Sequence, residues 1–183
     1  EDKRFLTHHG VDPLSLMRAA WQALANRRVV SGGSTLTMQV ARLLEPRPAR
    51  SLSDKAAEMI RAVQLERRLS KQQILDLYLA LAPYGGNIEG TRAAALAYFG
   101  KEPKRLSTAE AALLVALPQA PESRRPDRKP AIAKAARNRV IQRLHNDAII
   151  NADQAVAAAA ENAPKGRLAF PMLGAHVAER LAK

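Results

Sequence analysis

Almost every punctuated stretch of this chain starts or stops a helix. Asp12-Pro13 reads as an N-cap followed by a first-turn proline, and Ser51 to Asp54 opens a further segment that runs to about Arg68. Ser70-Lys71-Gln72-Gln73 and Ser107-Thr108-Ala109-Glu110 both have the spacing of a capping box, a hydroxyl followed three residues later by an amide or acid. The apolar residues between these signals fall at helical spacing. Leu14, Met17 and Trp21 lie at i, i+3 and i+7 with Leu24 continuing their stripe, and Leu36, Val40 and Leu43 form another. Pro46 and Pro48 stop the helix that Ser34 is expected to cap, and Gly100 closes the small-residue helix GTRAAALAYF. Further helices are expected near 131–145 and 152–162. No strand ladder and no internal repeat interrupts this pattern, which predicts an all-α domain.

Composition narrows what such a domain can do. A chain of 183 residues has room for one domain with a proper core. Lys and Arg number 29 against 17 Asp and Glu, a formal charge of +12, so the expected partner is anionic: nucleic acid, acidic headgroups or a phosphorylated substrate. One Trp, three Phe and three Tyr are few for a platform that stacks single-stranded bases. Absence of cysteine removes disulfides, thiol nucleophiles and cysteine-based zinc sites. No run of 18 apolar residues is present. The chain opens on Glu1-Asp2-Lys3-Arg4 without Met and is read as an excised domain whose upstream segment could hold an anchor.

The polar residues that carry chemistry gather around one loop. Gly32-Gly33-Ser34-Thr35 leads into a helix on which Thr35, Gln39 and Arg42 share a stripe at i, i+4 and i+7. Free N–H groups at such a start favour an anion, and glycine lets it approach the backbone; simple capping by Ser34 explains the same residues. Arg50 and Lys55 flank the next helix start and could meet Arg42 around a diphosphate, or form a solvated basic face. Glu58 stands in line with Ala62 and Leu65, one turn after Lys55, which suits either an ion-pair partner or a site carboxylate. His8 and His9 are adjacent, so a shared metal needs an unusual turn, and structural hydrogen bonding is the expected role.

Taken together these segments resemble glycosyltransferase family 51, the peptidoglycan glycosyltransferases. The carrying motifs are Glu1-Asp2-x-x-Phe5-x-x-His8-x-Gly10, then Gly32-Gly33-Ser34-Thr35-Leu36-Thr37-Met38-Gln39, then Lys55-x-x-Glu58. Ile74-Leu75-Asp76-Leu77-Tyr78-Leu79 and Leu106-Ser107-x-Ala109-Glu110-Ala111-Ala112-Leu113-Leu114 with Leu117-Pro118-x-Ala120-Pro121 follow in order, so the resemblance covers residues 1 to about 145. Met38 replaces a common Gln, and Asp54 stands where the family usually has a base. The turn Ala82-Pro83-Tyr84-Gly85-Gly86-Asn87 departs from the commoner Tyr-Phe-Gly-x-Gly form and resembles one branch of the class A penicillin-binding proteins.

The resemblance implies a lysozyme-like helical fold, over residues 1–163, that polymerises lipid II at the outer, periplasmic face of the cytoplasmic membrane. Residues 164–183 would form a tail or linker toward a downstream transpeptidase domain. It further implies that Glu1 is the general base and Glu58 a second essential carboxylate. Arg42, Arg50 and Lys55 would contact phosphates, with Ser34, Thr35 and Gln39 supplying polar contacts. No cofactor is required by it, although a divalent cation, Mg or Mn, at the diphosphate is compatible with it. The partners it implies are lipid II, the growing glycan strand and a membrane surface, with no nucleic acid. Val11, Leu14, Leu16, Met17 and Trp21 lie close to Arg18, Arg27 and Arg28, a mixture suited to a membrane interface as well as to a core. A lysozyme-like hydrolase and a basic nucleic-acid module are the competing readings. The first has no need of the Arg42, Arg50 and Lys55 cluster, and the second has no need of Glu58.

Overall fold

The computed structural model describes residues 2–26, 33–46 and 51–169. Its helices are α1 (Pro13–Asn26), α2 (Leu36–Leu44), α3 (Leu52–Glu66), α4 (Lys71–Leu81), α5 (Thr91–Phe99), α6 (Thr108–Ala116), α7 (Pro130–Asn146) and α8 (Ala152–Ala160). A 3₁₀ turn at Pro103–Arg105, which the sequence reading did not include, joins α5 to α6. Among the described residues there is no strand, only the isolated bridges His9 to Val11 and Pro83 to Glu89. The expected all-α class is therefore the observed one. The chain divides into two compact units, Glu1–Ala82 and Pro83–Lys183.

In the first unit α2 packs on both α3 and α4. The contact is built from Leu36, Met38, Val40 and Ala41 of α2, Ala62 of α3, and Ile74 and Tyr78 of α4, all buried. This face of α2 is wider than the Leu36, Val40 and Leu43 stripe, because Thr37 and Met38 are also fully buried. The expected capping box forms at α4, Ser70 with Gln73, and Ser51 with Asp54 forms a further one at α3. At α2 the cap is Thr35 and not Ser34; the Thr35 hydroxyl accepts from Met38 N at 3.1 Å. Ser34 has been drawn elsewhere, as described below.

Residues 2–12 enter without regular helix and are held by side chains. Asp12 caps α1, accepting from the Ser15 amide at 3.3 Å and hydroxyl at 2.7 Å, and Arg4 Nη2 donates to both its oxygens at 2.7 and 2.6 Å. Gly10 has φ +86°, and a Cβ there would lie 2.7 Å from the Ala62 carbonyl group, so this loop touches α3 only because the residue has no side chain.

In the second unit α6 packs on α7, with α8 across both. Ala109, Ala112 and Ala158 surround Ile141, and small side chains let these helices approach closely. Arg137 is buried, and it donates to the carbonyls of Ala159 at 2.9 Å and Glu161 at 2.7 Å. It thus satisfies the otherwise open C-terminal carbonyls of α8.

The turn 83–90 is built around two guanidinium groups. Arg125 and Arg167 both pair with Asp127, at 2.6 and 3.3 Å, and Arg167 also donates to the Gly85 carbonyl at 2.8 Å and Asn87 Oδ1 at 3.2 Å. Leu168 N donates to the Ala97 carbonyl at 2.7 Å. The start of the segment read as a tail is therefore bound to this unit as far as residue 168. Gly86 has φ +60°, and a Cβ on it would meet an Arg167 nitrogen at 2.7 Å.

Two outcomes follow from these contacts. Gly86→Ala adds left-handed strain of about 1–2 kcal/mol and displaces Arg167; unfolding of the second unit should shift by that amount, and trypsin should cut after Arg167 faster than in wild type. Unchanged cleavage would contradict the latch. The Ser15 hydroxyl, with the Ser15 amide and Arg4, holds the Asp12 carboxyl below the usual aspartate range. A lowered folded-state value means that its contribution is complete above the unfolded value and lost as pH falls through the folded one. The Asp12 resonance should accordingly titrate below the unfolded-chain value of about 3.9, with faster amide exchange in the first turn of α1 beneath it. Titration at or above that value would sink this assignment.

Candidate functional site

The site is assembled where the 2–12 loop, the start of α2 and the first half of α3 meet. The Asp2 side chain is turned inward and is only 7% exposed. One of its oxygens accepts from Leu36 N, the first residue of α2, at 2.9 Å, and lies 2.8 Å from His8 Nε2. The Asp2 carboxylate therefore sits where the N-terminal end of the helix favours negative charge. This corrects the expectation of free N–H groups awaiting an anion: Asp2 occupies the Leu36 amide and Thr35 the Met38 amide. His8 is buried and serves as the structural hydrogen bonder expected of it. Its Nε2 faces Asp2, while Nδ1 has no partner among the described residues.

Thr35 is 2% exposed, and its hydroxyl also donates to the Gly10 carbonyl at 2.5 Å. Both its functions are thus taken up inside the protein, fixing the loop to the helix start. Ser34, one residue earlier, faces Lys55: the Lys55 ammonium donates to the Ser34 hydroxyl and lies 3.3 Å from Glu58 Oε2. Lys55 and Glu58 fall on one face of α3 at i, i+3. Lys55 is 35% exposed and Glu58 17%, so the pair is neither sealed nor fully solvated. An ammonium has three donors. Ser34 and Glu58 take two among the described residues, and a ligand can reach the third.

The structure thus brings together Ser34, Lys55 and Glu58, with Thr35 behind them. Gln39 is half-buried on the following turn of α2, and Arg42 is exposed in its last turn. The stripe read through Thr35, Gln39 and Arg42 therefore runs from buried to exposed and is not uniformly open. Glu1 and Arg50 lie outside the described residues. The sequence reading missed Asp2 as an internal counter-charge, and also missed Glu66 and Lys71. Glu66 accepts from the Thr37 hydroxyl and from Lys71 Nζ, each at 2.6 Å, beneath the site. A buried threonine on the apolar face of α2 was the available signal, since such a hydroxyl requires a partner.

Among the described residues no group of three or more His, Asp or Glu converges as a metal site. Glu58, with an ammonium beside it, is a single carboxylate already partnered. This donor set does not fit a divalent ion held by the protein alone.

The profile of the family described as "Transglycosylase" matches residues 1–145. Penicillin-binding protein 1C of Escherichia coli K12 is 56% identical over 144 residues, covering 79% of this chain and 19% of that protein. Penicillin-binding protein 1A of Pseudomonas aeruginosa is 43% identical over 144 residues, covering 79% and 18%. The higher identity to 1C agrees with the branch that the 82–87 turn resembles. The crystal structure of penicillin-binding protein 1A from Haemophilus influenzae superposes with a TM-score of 0.50 at 26% identity, over 79% of this chain and 19% of that one. That match places the helical architecture with the lysozyme-like transglycosylase domain. The chain spans about a fifth of the length of the relatives it matches. On the motifs and the length of the match, this chain belongs to the transglycosylase family of the penicillin-binding proteins.

Proposed function

We propose that the chain is a peptidoglycan glycosyltransferase that polymerises lipid II into β-1,4 glycan strands and releases undecaprenyl diphosphate. The observation that carries this reading is the Ser34, Lys55 and Glu58 cluster in a chain of this family. A hydrolase acting on the same sugars has no use for an ammonium held at the leaving group, because no diphosphate departs.

Glu1 takes the proton from the 4-hydroxyl of the acceptor sugar as that oxygen attacks the anomeric carbon of the donor. The bond from that carbon to the diphosphate oxygen breaks, and its electron pair leaves with the diphosphate. One displacement inverts the α-linkage to β, with no covalent enzyme intermediate. Lys55, oriented by Ser34 and Glu58, meets the charge that grows on the diphosphate, and Arg42 and Arg50 add to it from the flanking segments. In this account Glu58 orients the Lys55 ammonium while that ammonium meets the phosphate. A resident cation is not needed for any of these steps.

The lipid tail implies a membrane surface, and α1 offers one. Leu14, Met17 and Trp21 are 61%, 68% and 73% exposed, with Leu6 at 78%, while Arg18 is exposed beside them. Leu16 is half-buried, so α1 divides between packing and outward faces. We place the outward face in the outer leaflet of the cytoplasmic membrane on its periplasmic side. The natural companions are lipid II, the growing strand and a downstream transpeptidase domain.

The test is polymerisation of labelled lipid II in detergent by the full-length protein. Wild type should give a ladder that lysozyme digests. Glu1→Gln, Glu58→Gln and Lys55→Ala should each lower its rate by about 10²-fold or more. A ladder undiminished in Lys55→Ala would refute the diphosphate site. Release of reducing sugars without elongation would establish the hydrolase instead.

A further inference from the structure

A general base must be held to within fractions of an ångström of its productive position, yet Glu1 precedes a loop, residues 2–12, without regular helix. On the α4 side that loop is held by Lys71. The Lys71 ammonium donates to the His8 carbonyl and to Glu66 Oε1, both at 2.6 Å, and stands 4.6 Å from the centroid of the Phe5 ring. Phe5 in turn meets the His8 ring edge-on at 6.2 Å. Lys71 is the first residue of α4 and Glu66 the last of α3, and Glu66 also accepts from Thr37 of α2. Glu66 is only 6% exposed, so its charge is balanced here and not by water. One ammonium thus gathers three helices and two residues of the loop at a single point.

The restraint passes on through His8. Its carbonyl is fixed by Lys71, its ring by Phe5 and Asp2, and Asp2 is anchored on Leu36 N. Asp2 is joined to Glu1 by one peptide bond. We infer that Lys71 is a positioning residue for the Glu1 carboxylate, setting through His8 and Asp2 where the base sits without itself touching substrate. This rests on the glycosyltransferase reading. The ammonium suits the task because its tetrahedral donors serve a carbonyl, a carboxylate and a ring face at once, which a planar guanidinium does not reproduce.

The experiment compares Lys71→Gln, Lys71→Arg and Ile74→Val in the full-length protein. Ile74→Val trims a buried apolar contact of the same helix and removes no hydrogen bond and no charge. Two quantities are read: lipid II polymerisation, as kcat and KM separately, and hydrogen exchange of the Leu36 amide. Lys71→Gln should lower kcat by about 10²-fold with KM changed less than about threefold, and should speed exchange at Leu36 relative to Ala62 of α3. Lys71→Arg, which keeps the charge beside Glu66, should fall between Lys71→Gln and wild type, and Ile74→Val should match wild type in both. Wild-type kcat and wild-type Leu36 protection in a folded Lys71→Arg or Lys71→Gln protein would overturn the inference. An equal loss of kcat in Ile74→Val would do the same, because it would reduce the effect to general destabilisation. If wild type proves inactive on lipid II, the functional reading fails, and the Leu36 amide still decides whether Lys71 governs the loop.

Discussion

The first unit depends on one buried carboxylate. Asp2 satisfies the start of α2 and holds His8, and the 2–12 loop is thereby fixed to the helix on which the second motif lies. This has an electrostatic consequence for the site. The helix N-terminus that would otherwise attract an anion already has its Leu36 and Met38 amides answered from within, so the phosphate of the proposed substrate would be met by side-chain cations. Lys55 is the one that the structure places beside Ser34 and Glu58. A hydroxyl and a partly exposed carboxylate orient its ammonium and leave one of its three donors untaken among the described residues.

Helix positions were largely legible because their signals are local. The boxes at 70–73 and 107–110 formed as spaced, and the Ser51 to Asp54 start proved to be a third box. The Asn151 to Gln154 box of α8 was passed over, since its alanine-rich surroundings gave no contrast between faces. At Ser34-Thr35 the cap was assigned one residue early. Two adjacent hydroxyls are equivalent to a local rule, and the choice is made by Lys55, 21 residues away, and by the Gly10 carbonyl.

The site divides along the same line. The Lys55 and Glu58 pair could be read from an i, i+3 spacing, whereas Asp2 on Leu36, 34 residues apart, and Lys71 on His8, 63 apart, exist only after folding. The recurring glycine and hydroxyl residues mark the candidate loop, but not which of their groups are spent internally. Thr35 illustrates this, since its position beside Ser34 suggests a ligand contact and its burial makes it a fastening. The positive charge of the chain was equally informative in sum and uninformative in detail. Arg137 caps α8 and Arg125 and Arg167 build a turn, so part of the +12 serves folding.

The central claim is that a diphosphate is held at Lys55 beside Ser34. Its most direct test is a titration of isotope-labelled protein with a short-chain polyprenyl diphosphate in detergent, followed residue by residue by NMR. The account predicts that the resonances of Ser34, Lys55 and Glu58 move together and saturably. The matching monophosphate should produce a weaker response at the same residues, and the unphosphorylated alcohol none. An equal response to the alcohol, or a diphosphate response confined to residues 83–169, would contradict it.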